Sequence, residues 1–199
     1  MEEIDIYDFD KTIVPFDSGS MFCLYCLVHY PWTALLLPLD MIGLVLAFAG
    51  VISFTAFKKL CFAFVPVIPL DRAVKGFWDR YEKQVHRWFL SKKRRAVVIS
   101  ASPDFLLDEI KNRIGIDVLI CTRHNRKTGA IIGENCRNTE KVKRFYEIYN
   151  PDDIRVIDVY SDSLEHDEPI FSLATGSCYH IVKGARRKFD YNKYYKNRK

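Results

Sequence analysis

The sequence predicts an α/β protein: a three-layer α/β/α arrangement around a parallel sheet, with an α-helical cap inserted after the first strand. Three observations lead there. Short apolar, strand-like runs alternate with helical segments, the pattern of a sheet covered on both faces. A strongly apolar block from residue 18 to about 90 interrupts that alternation directly after the first strand. Polar and charged groups collect just beyond several strand-like runs, where ligands of parallel sheets sit.

The first strand covers residues 3–9. From Ser18 to about Phe64 the chain is apolar, interrupted by Pro31, Pro38, Asp40 and Gly43. Beyond Pro66 and Pro69, residues 70–90 carry the two faces of an amphipathic helix. A basic cluster at 92–95 precedes a second strand at 96–102. Residues 102–115 form a helix, with Pro103 near its first turn and Gly115 near its end. A third strand covers 117–122, a small hairpin turns at 127–129, and a helix covers 139–149. The fourth and fifth strands begin at Ile154 and Cys178. The core is therefore assigned to 1–17 and 91–199, with a basic tail at about 183–199, and the cap to 18–90.

Of the 199 residues nearly half are apolar and 14% are aromatic, enough for a sizeable core, which excludes a disordered chain. The net charge of +5 is unevenly placed. Residues 183–199 hold eight Lys/Arg against Asp190, which leaves the rest of the chain slightly acidic. A basic end on a near-neutral body points to an anionic surface, lipid head groups or nucleic acid. The six cysteines lack the spacing of a disulfide framework. Cys23 and Cys26 form C-x-x-C inside an apolar helical stretch, as core packing or as a redox or metal pair. The histidines are too scattered for a histidine metal site. The acidic N-terminus leads straight into a strand, so no cleavable signal peptide and a reducing, cytoplasmic setting are expected.

Residues 41–57 are 17 uncharged residues followed by Lys58 and Lys59, at the lower limit for a membrane span. One crossing would separate strand ends that look like one site, so the fold permits none or an even number. Water-soluble cap helices, a lid lying on or re-entering a membrane, and a hairpin of segments at about 21–38 and 41–57 all stay open.

The first strand ends in Asp8 and Asp10, one residue apart, with Phe9 between them. Alternation puts both carboxylates on one face, where they repel unless a cation lies between them or one holds a proton. Other strand ends contribute Ser100 and Ser102, then Asp158, Ser161, Asp162 and Asp167, and a helix contributes Lys141. Carboxylates from the first and fourth strand ends make a hard oxygen cage suited to Mg²⁺. Ser100, Thr12 and Lys141 supply two hydroxyls and a cation, which suits a phosphate. The pair then serves as a metal-bound nucleophile with an acid/base neighbour.

These residues carry a resemblance. D-F-D-K-T is similar to the D-x-D-x-T motif of haloacid dehalogenase-like phosphatases, V-V-I-S-A-S to their second motif, Lys141 to the third, and V-Y-S-D-S-L-E-H-D-E-P to the acidic fourth. The motifs occur in order across residues 8–167. The insertion after the first motif resembles the caps of phosphoserine phosphatase-like members, and the surrounding pattern resembles the phosphatidylglycerophosphatase C-like branch. The resemblance implies a Rossmann-like sheet and an Mg²⁺-dependent phosphomonoesterase. It implies that Asp8 attacks phosphorus and becomes an aspartyl phosphate, while Asp10 serves as acid and then base. Asp8, the backbone carbonyl of Asp10, and Asp162 would hold Mg²⁺. Thr12, Ser100 and Ala101 would hold the phosphate, with Lys141 offsetting charge. The family's second acid, four residues after Asp162, is His166 here, so Asp167 becomes the candidate for an outer metal contact. Asp158 is read as a mid-strand group rather than a ligand.

Asp17 is either a substrate contact or the N-cap of the first cap helix. Asn135 either approaches the phosphate or shapes a turn. The basic run at 91–95 is a solvated helix end or a contact with anionic lipid. The leading expectation is a phosphatase of lipid phosphates such as phosphatidylglycerophosphate, in peripheral contact with an anionic membrane at its inner face. The alternatives are a small-molecule phosphatase of phosphoserine phosphatase type, and a catalytically silent membrane- or RNA-binding scaffold using Tyr191, Tyr194 and Tyr195. Nucleic acid is disfavoured, because a silent scaffold has no need of a buried charge cluster.

Overall fold

The computed structural model describes residues 1–51 and 61–195. Its strands form one six-stranded sheet in the order β3-β2-β1-β4-β5-β6. They are β1 (Glu2–Tyr7), β2 (Arg95–Pro103), β3 (Val118–Thr122), β4 (Ile154–Ser161), β5 (Ser177–Val182) and β6 (Ala185–Phe189). The first five run parallel, and β6 returns antiparallel to β5. The helices are α1 (Ser18–His29), α2 (Leu37–Phe48), α3 (Leu70–Tyr81), α4 (Arg87–Leu90), α5 (Asp104–Arg113), α6 (Thr139–Ile148), α7 (Glu168–Phe171) and α8 (Tyr191–Tyr195).

Period-two alternation divides the core between the two faces of the sheet. Ile4, Ile6, Val97 and Ile99 pack on one face with Phe145 of α6 and Phe171 of α7. Tyr7, Ala96 and Val98 pack on the other with Phe77 and Trp78 of α3 and Phe105 of α5. Phe22 of α1 joins that second cluster, so the inserted helices share a core with the sheet rather than standing apart from it. Trp78 is fully buried and its indole N–H donates to the Leu106 carbonyl at 2.7 Å. Burying one such side chain contributes roughly 1.5–3 kcal/mol.

The amphipathic pattern over 70–90 does not make one helix. It breaks after Tyr81 into a 3-10 turn and α4, because Val85 turns into the core and the His86 backbone N–H bonds to the Ile13 carbonyl at 2.9 Å. Helices α1 and α2 are apolar on their outer sides as well, with Leu35 between them and Phe48 at the end of α2 left 82% and 74% exposed. Among the described residues no helix is long and apolar enough to cross a membrane. Residues 52–57 of the 41–57 segment, with Lys58 and Lys59, lie outside the described residues, as does 196–199 of the basic end.

The segment expected as a basic tail is folded through Tyr195. Lys183 and Gly184 have φ of 50° and 80°, the left-handed pair of a two-residue hairpin turn whose twist suits the strands on either side. β6 follows with charged side chains facing solvent, and Phe189 packs edge-on against Phe171 at 5.1 Å. The small hairpin after β3 is real but short, closed by the bridge between His124 and Ile131. At its tip Gly129 (φ 73°) approaches so closely that a Cβ there would sit 1.9 Å from the Phe62 carbonyl oxygen.

Candidate active site

Past Tyr7 the chain keeps one more ladder bond, from the Asp8 N–H to the Tyr160 carbonyl at 2.9 Å. It then turns through Lys11, whose φ is 54°. Phe9 is fully buried against the edge of Trp78, which anchors the turn while Asp8 and Asp10 face a cavity of about 920 Å³. The strand ends of β2 and β4, the start of α1 and Lys141 of α6 close on the same cavity.

Asp8 is buried and bonded to Lys141 Nζ through Oδ1 at 2.7 Å and to the Thr12 hydroxyl through Oδ2 at 3.3 Å. Lys141 Nζ also lies 2.7 Å from Asp167 Oδ1. Burial pushes Asp8 up to about 8, Lys141 pulls against that, and the Asp167 and Asp10 carboxylates add to the rise. Burial works against the Lys141 charge too, but Asp8 and Asp167 outweigh it and hold the lysine protonated. One cation thus serves an excess of carboxylates.

Asp10 is held differently. Its Oδ1 accepts the Ser18 backbone N–H at 2.9 Å, and its Oδ2 accepts the Ser102 hydroxyl. The Ser18 hydroxyl in turn donates to Ser102 Oγ at 3.0 Å. Burial pushes Asp10 up to about 6, with Asp17 adding to the rise and the Ser102 and Ser18 bonds opposing it. Ser18 and Ser102 are therefore part of the site. Ser102 is visible in the sequence as a strand-end serine, whereas nothing there marks Ser18 beyond its place after Asp17.

The remaining candidates fall into place unevenly. Ser100 and Ala101 line the cavity beside Asp8. Thr12 lies fully buried behind Asp8, where its hydroxyl also accepts the Asp162 N–H at 2.9 Å, so it braces both acids. Asp17 is the N-cap of α1, accepting the Ser20 N–H at 2.8 Å, and it also lines the cavity. Asp167 has both oxygens engaged, one by Lys141 and one by the Ser161 hydroxyl at 2.5 Å. Asn135 stays out of the cavity lining, its Oδ1 2.8 Å from the Thr122 hydroxyl in the turn before α6. Asp158 pairs with Arg94, which also binds Asp5 at 2.7 Å, well inside the sheet.

The Asp10 carboxylate is engaged by Ser18 and Ser102, which leaves its backbone carbonyl as the group expected at the metal. Among the described residues no three His, Cys, Asp or Glu side chains converge as a metal-binding group, because the Asp10 carboxylate is turned to Ser18 and Ser102. Asp8 and Asp162 remain, both raised chiefly by burial and then by neighbouring charge. Two hard carboxylates short of positive charge fit Mg²⁺, which commonly takes one or two carboxylates and keeps several waters.

Carboxylates and a lysine thus gather at the carboxyl ends of the parallel strands, where ligands of such sheets bind. Residues 6–171 match the haloacid dehalogenase-like hydrolases, and the chain belongs to that family. It is similar to Protein CicA of Caulobacter vibrioides, strain NA1000 / CB15N, with 32% identity over 105 residues, 50% of this chain and 46% of that one. The match thus spans about half the length of the curated relatives. Among solved structures it resembles a protein of unknown function from Bordetella pertussis Tohama I, with TM-score 0.69 and 19% identity over 85% of this chain and 86% of that one. It also resembles a phosphoserine phosphohydrolase-like protein from Francisella tularensis, with TM-score 0.53 and 14% identity over 92% and 90% of the two chains. A phospho-aspartyl intermediate analogue of phosphoserine phosphatase gives TM-score 0.51 and 17% identity over 90% and 86%. These likenesses establish a shared fold.

Proposed function

We propose that the protein is an Mg²⁺-dependent phosphomonoester hydrolase that works through an aspartyl phosphate. The observation that carries this reading is Asp8, buried at the end of the central strand, bonded to Lys141 and beside a carboxyl group whose pKa is raised to about 6. A carboxylate Oδ of Asp8 attacks phosphorus, and the bond from phosphorus to the alcohol oxygen breaks. Asp10 gives its proton to that departing oxygen. A water then attacks phosphorus, Asp10 takes the water's proton, and the bond to Asp8 breaks to free inorganic phosphate. Lys141 offsets the charge of Asp8 and the transferring oxygens, with Ser100 and the backbone at Ala101 beside them. Asp8, the Asp10 carbonyl and Asp162 would hold Mg²⁺, which supplies further neutralisation of the phosphate charge.

The substrate we infer is a lipid phosphate such as phosphatidylglycerophosphate. Away from the carboxylates, the cavity wall is apolar, with Leu24, Leu27, Leu36, Leu37, Phe62 and Phe64. The same helices turn Val28, Leu35, Met41, Ile42, Val45 and Phe48 outward, a patch that suits contact with the surface of an anionic bilayer. Cys26, Cys121, Cys136 and Cys178 are buried free thiols, in keeping with a reducing, cytoplasmic setting. We favour the lipid reading over RNA binding because Tyr191 hydrogen-bonds Glu168 and Tyr195 the Leu164 carbonyl, while both pack beside Phe189.

Phosphate release from p-nitrophenyl phosphate, a soluble phosphomonoester and a lipid phosphate in mixed micelles tests the reading, with Mg²⁺ or EDTA present. Release from the lipid at the highest kcat/KM, abolished by EDTA and by Asp8→Asn, is the expected result. Preference for the soluble ester would replace the lipid substrate with a small one, and release unaffected by Asp8→Asn would overturn the mechanism.

A further inference from the structure

Arg137 lines the catalytic cavity from the turn just before α6. It is half-buried, and no carboxylate of the described residues lies within ion-pair distance of it. The other arginine of this region shows the contrast. Arg144 is spent on Glu140 at 2.9 Å and on the Cys121 carbonyl at 2.7 Å. Lys141, four residues on, is likewise committed to Asp8 and Asp167 at the cavity floor. Arg137 stands before the helix, separated from it by Asn138 at φ 52°, and lines the same cavity as Lys141 from this different position. A guanidinium held in a cavity with no ion-pair partner among the described residues presents its planar fork to an entering anion.

We propose that Arg137 forms a second oxyanion subsite, so that the preferred substrate carries another anionic group a few bonds from the phosphomonoester. A phosphodiester or a carboxylate would satisfy that fork. The inference rests on the phosphatase reading of the same cavity and adds a rule of selection to it. Asp17 also lines the cavity and disfavours anions nearby, which restricts the second group to the side of Arg137.

The test compares glycerol 3-phosphate with two relatives of it, one bearing a methyl phosphodiester on the other terminal oxygen and one with a carboxylate in place of the terminal alcohol. The wild-type protein should favour at least one anion-bearing compound in kcat/KM, chiefly through KM. Arg137→Gln should cut that preference by about tenfold or more, with a much smaller fall on glycerol 3-phosphate, while Arg137→Lys keeps part of it. The arm that collapses identifies the anion. A preference that survives Arg137→Gln, or an equal fall on all three compounds, would overturn the subsite. If the wild type releases phosphate from none of them, the micelle assay decides the phosphatase reading and calorimetric binding decides Arg137 by itself. Weaker binding of an anion-bearing compound to Arg137→Gln supports the subsite, and unchanged binding overturns it.

Discussion

Asp8 carries an energetic conflict that the chemistry requires. Burial raises its folded pKa from the ordinary aspartate range to about 8, so between those values the native state binds a proton that the unfolded chain has already released. The stability this group contributes is full below about pH 4 and is lost as pH rises through about 8. Asp8→Asn should therefore be more stable than the wild type at pH 8 in EDTA, by at most a few kcal/mol, with the gap closing towards pH 4 in urea titrations. The same variant should have no turnover. A wild type as stable as the variant at both pH values would contradict this account of the charge cluster. Asp17 offers a finer probe, because its charge adds to the rise at Asp10 and Asn caps a helix about as well as Asp. Asp17→Asn should shift the alkaline limb of the rate profile to lower pH and slow the reaction at pH 7 more than at pH 5. An unmoved limb would separate Asp17 from the proton donor.

At the level of elements, the turn between β5 and β6 shows how closely the return from the cap fits the sheet. Gly184 has φ 80°, and a Cβ there would lie 2.6 Å from the His86 ring. Its carbonyl accepts the Trp88 indole N–H at 3.2 Å. Gly184→Ala should lower stability by about 1–3 kcal/mol, read as a lower Tm, while KM for p-nitrophenyl phosphate stays unchanged. An unaffected Tm would mean that the turn yields freely. β6 itself could not be read from the chain. Its exposed positions are mostly Arg and Lys, as suits an edge strand protected from pairing with other chains, and by composition such a run looks like a tail. The break after Tyr81 was hidden for a related reason, since apolar spacing continues across it and the turn depends on Ile13, far away in sequence. Asp8, Asp10 and Thr12 were legible because one short segment holds all three. Ser18 and Arg137 were not, because their value lies in what the fold sets opposite them.

Across the whole molecule, polar chemistry and apolar surface meet at one cavity. The outward residues of α1 and α2 are the continuation of its apolar wall. The paired change Met41→Glu and Val45→Glu should reduce sedimentation with anionic vesicles by at least about tenfold, since each substitution removes an apolar group that would enter the bilayer surface and adds a repelled charge. Hydrolysis of p-nitrophenyl phosphate should be unaffected. Equal sedimentation of the two proteins would place membrane contact elsewhere.

The bond from the Ser18 backbone to Asp10 bears on how far the roof of this molecule is interchangeable. Inserted caps invite the view of a swappable part, with chemistry below and selectivity above. Here the first residue of that part steadies the group that handles the proton. A graft made at residue 19 would keep this support, whereas one made at residue 17 would exchange it along with the specificity. The seam for recombination lies inside α1, one residue beyond the place where a domain diagram would draw it.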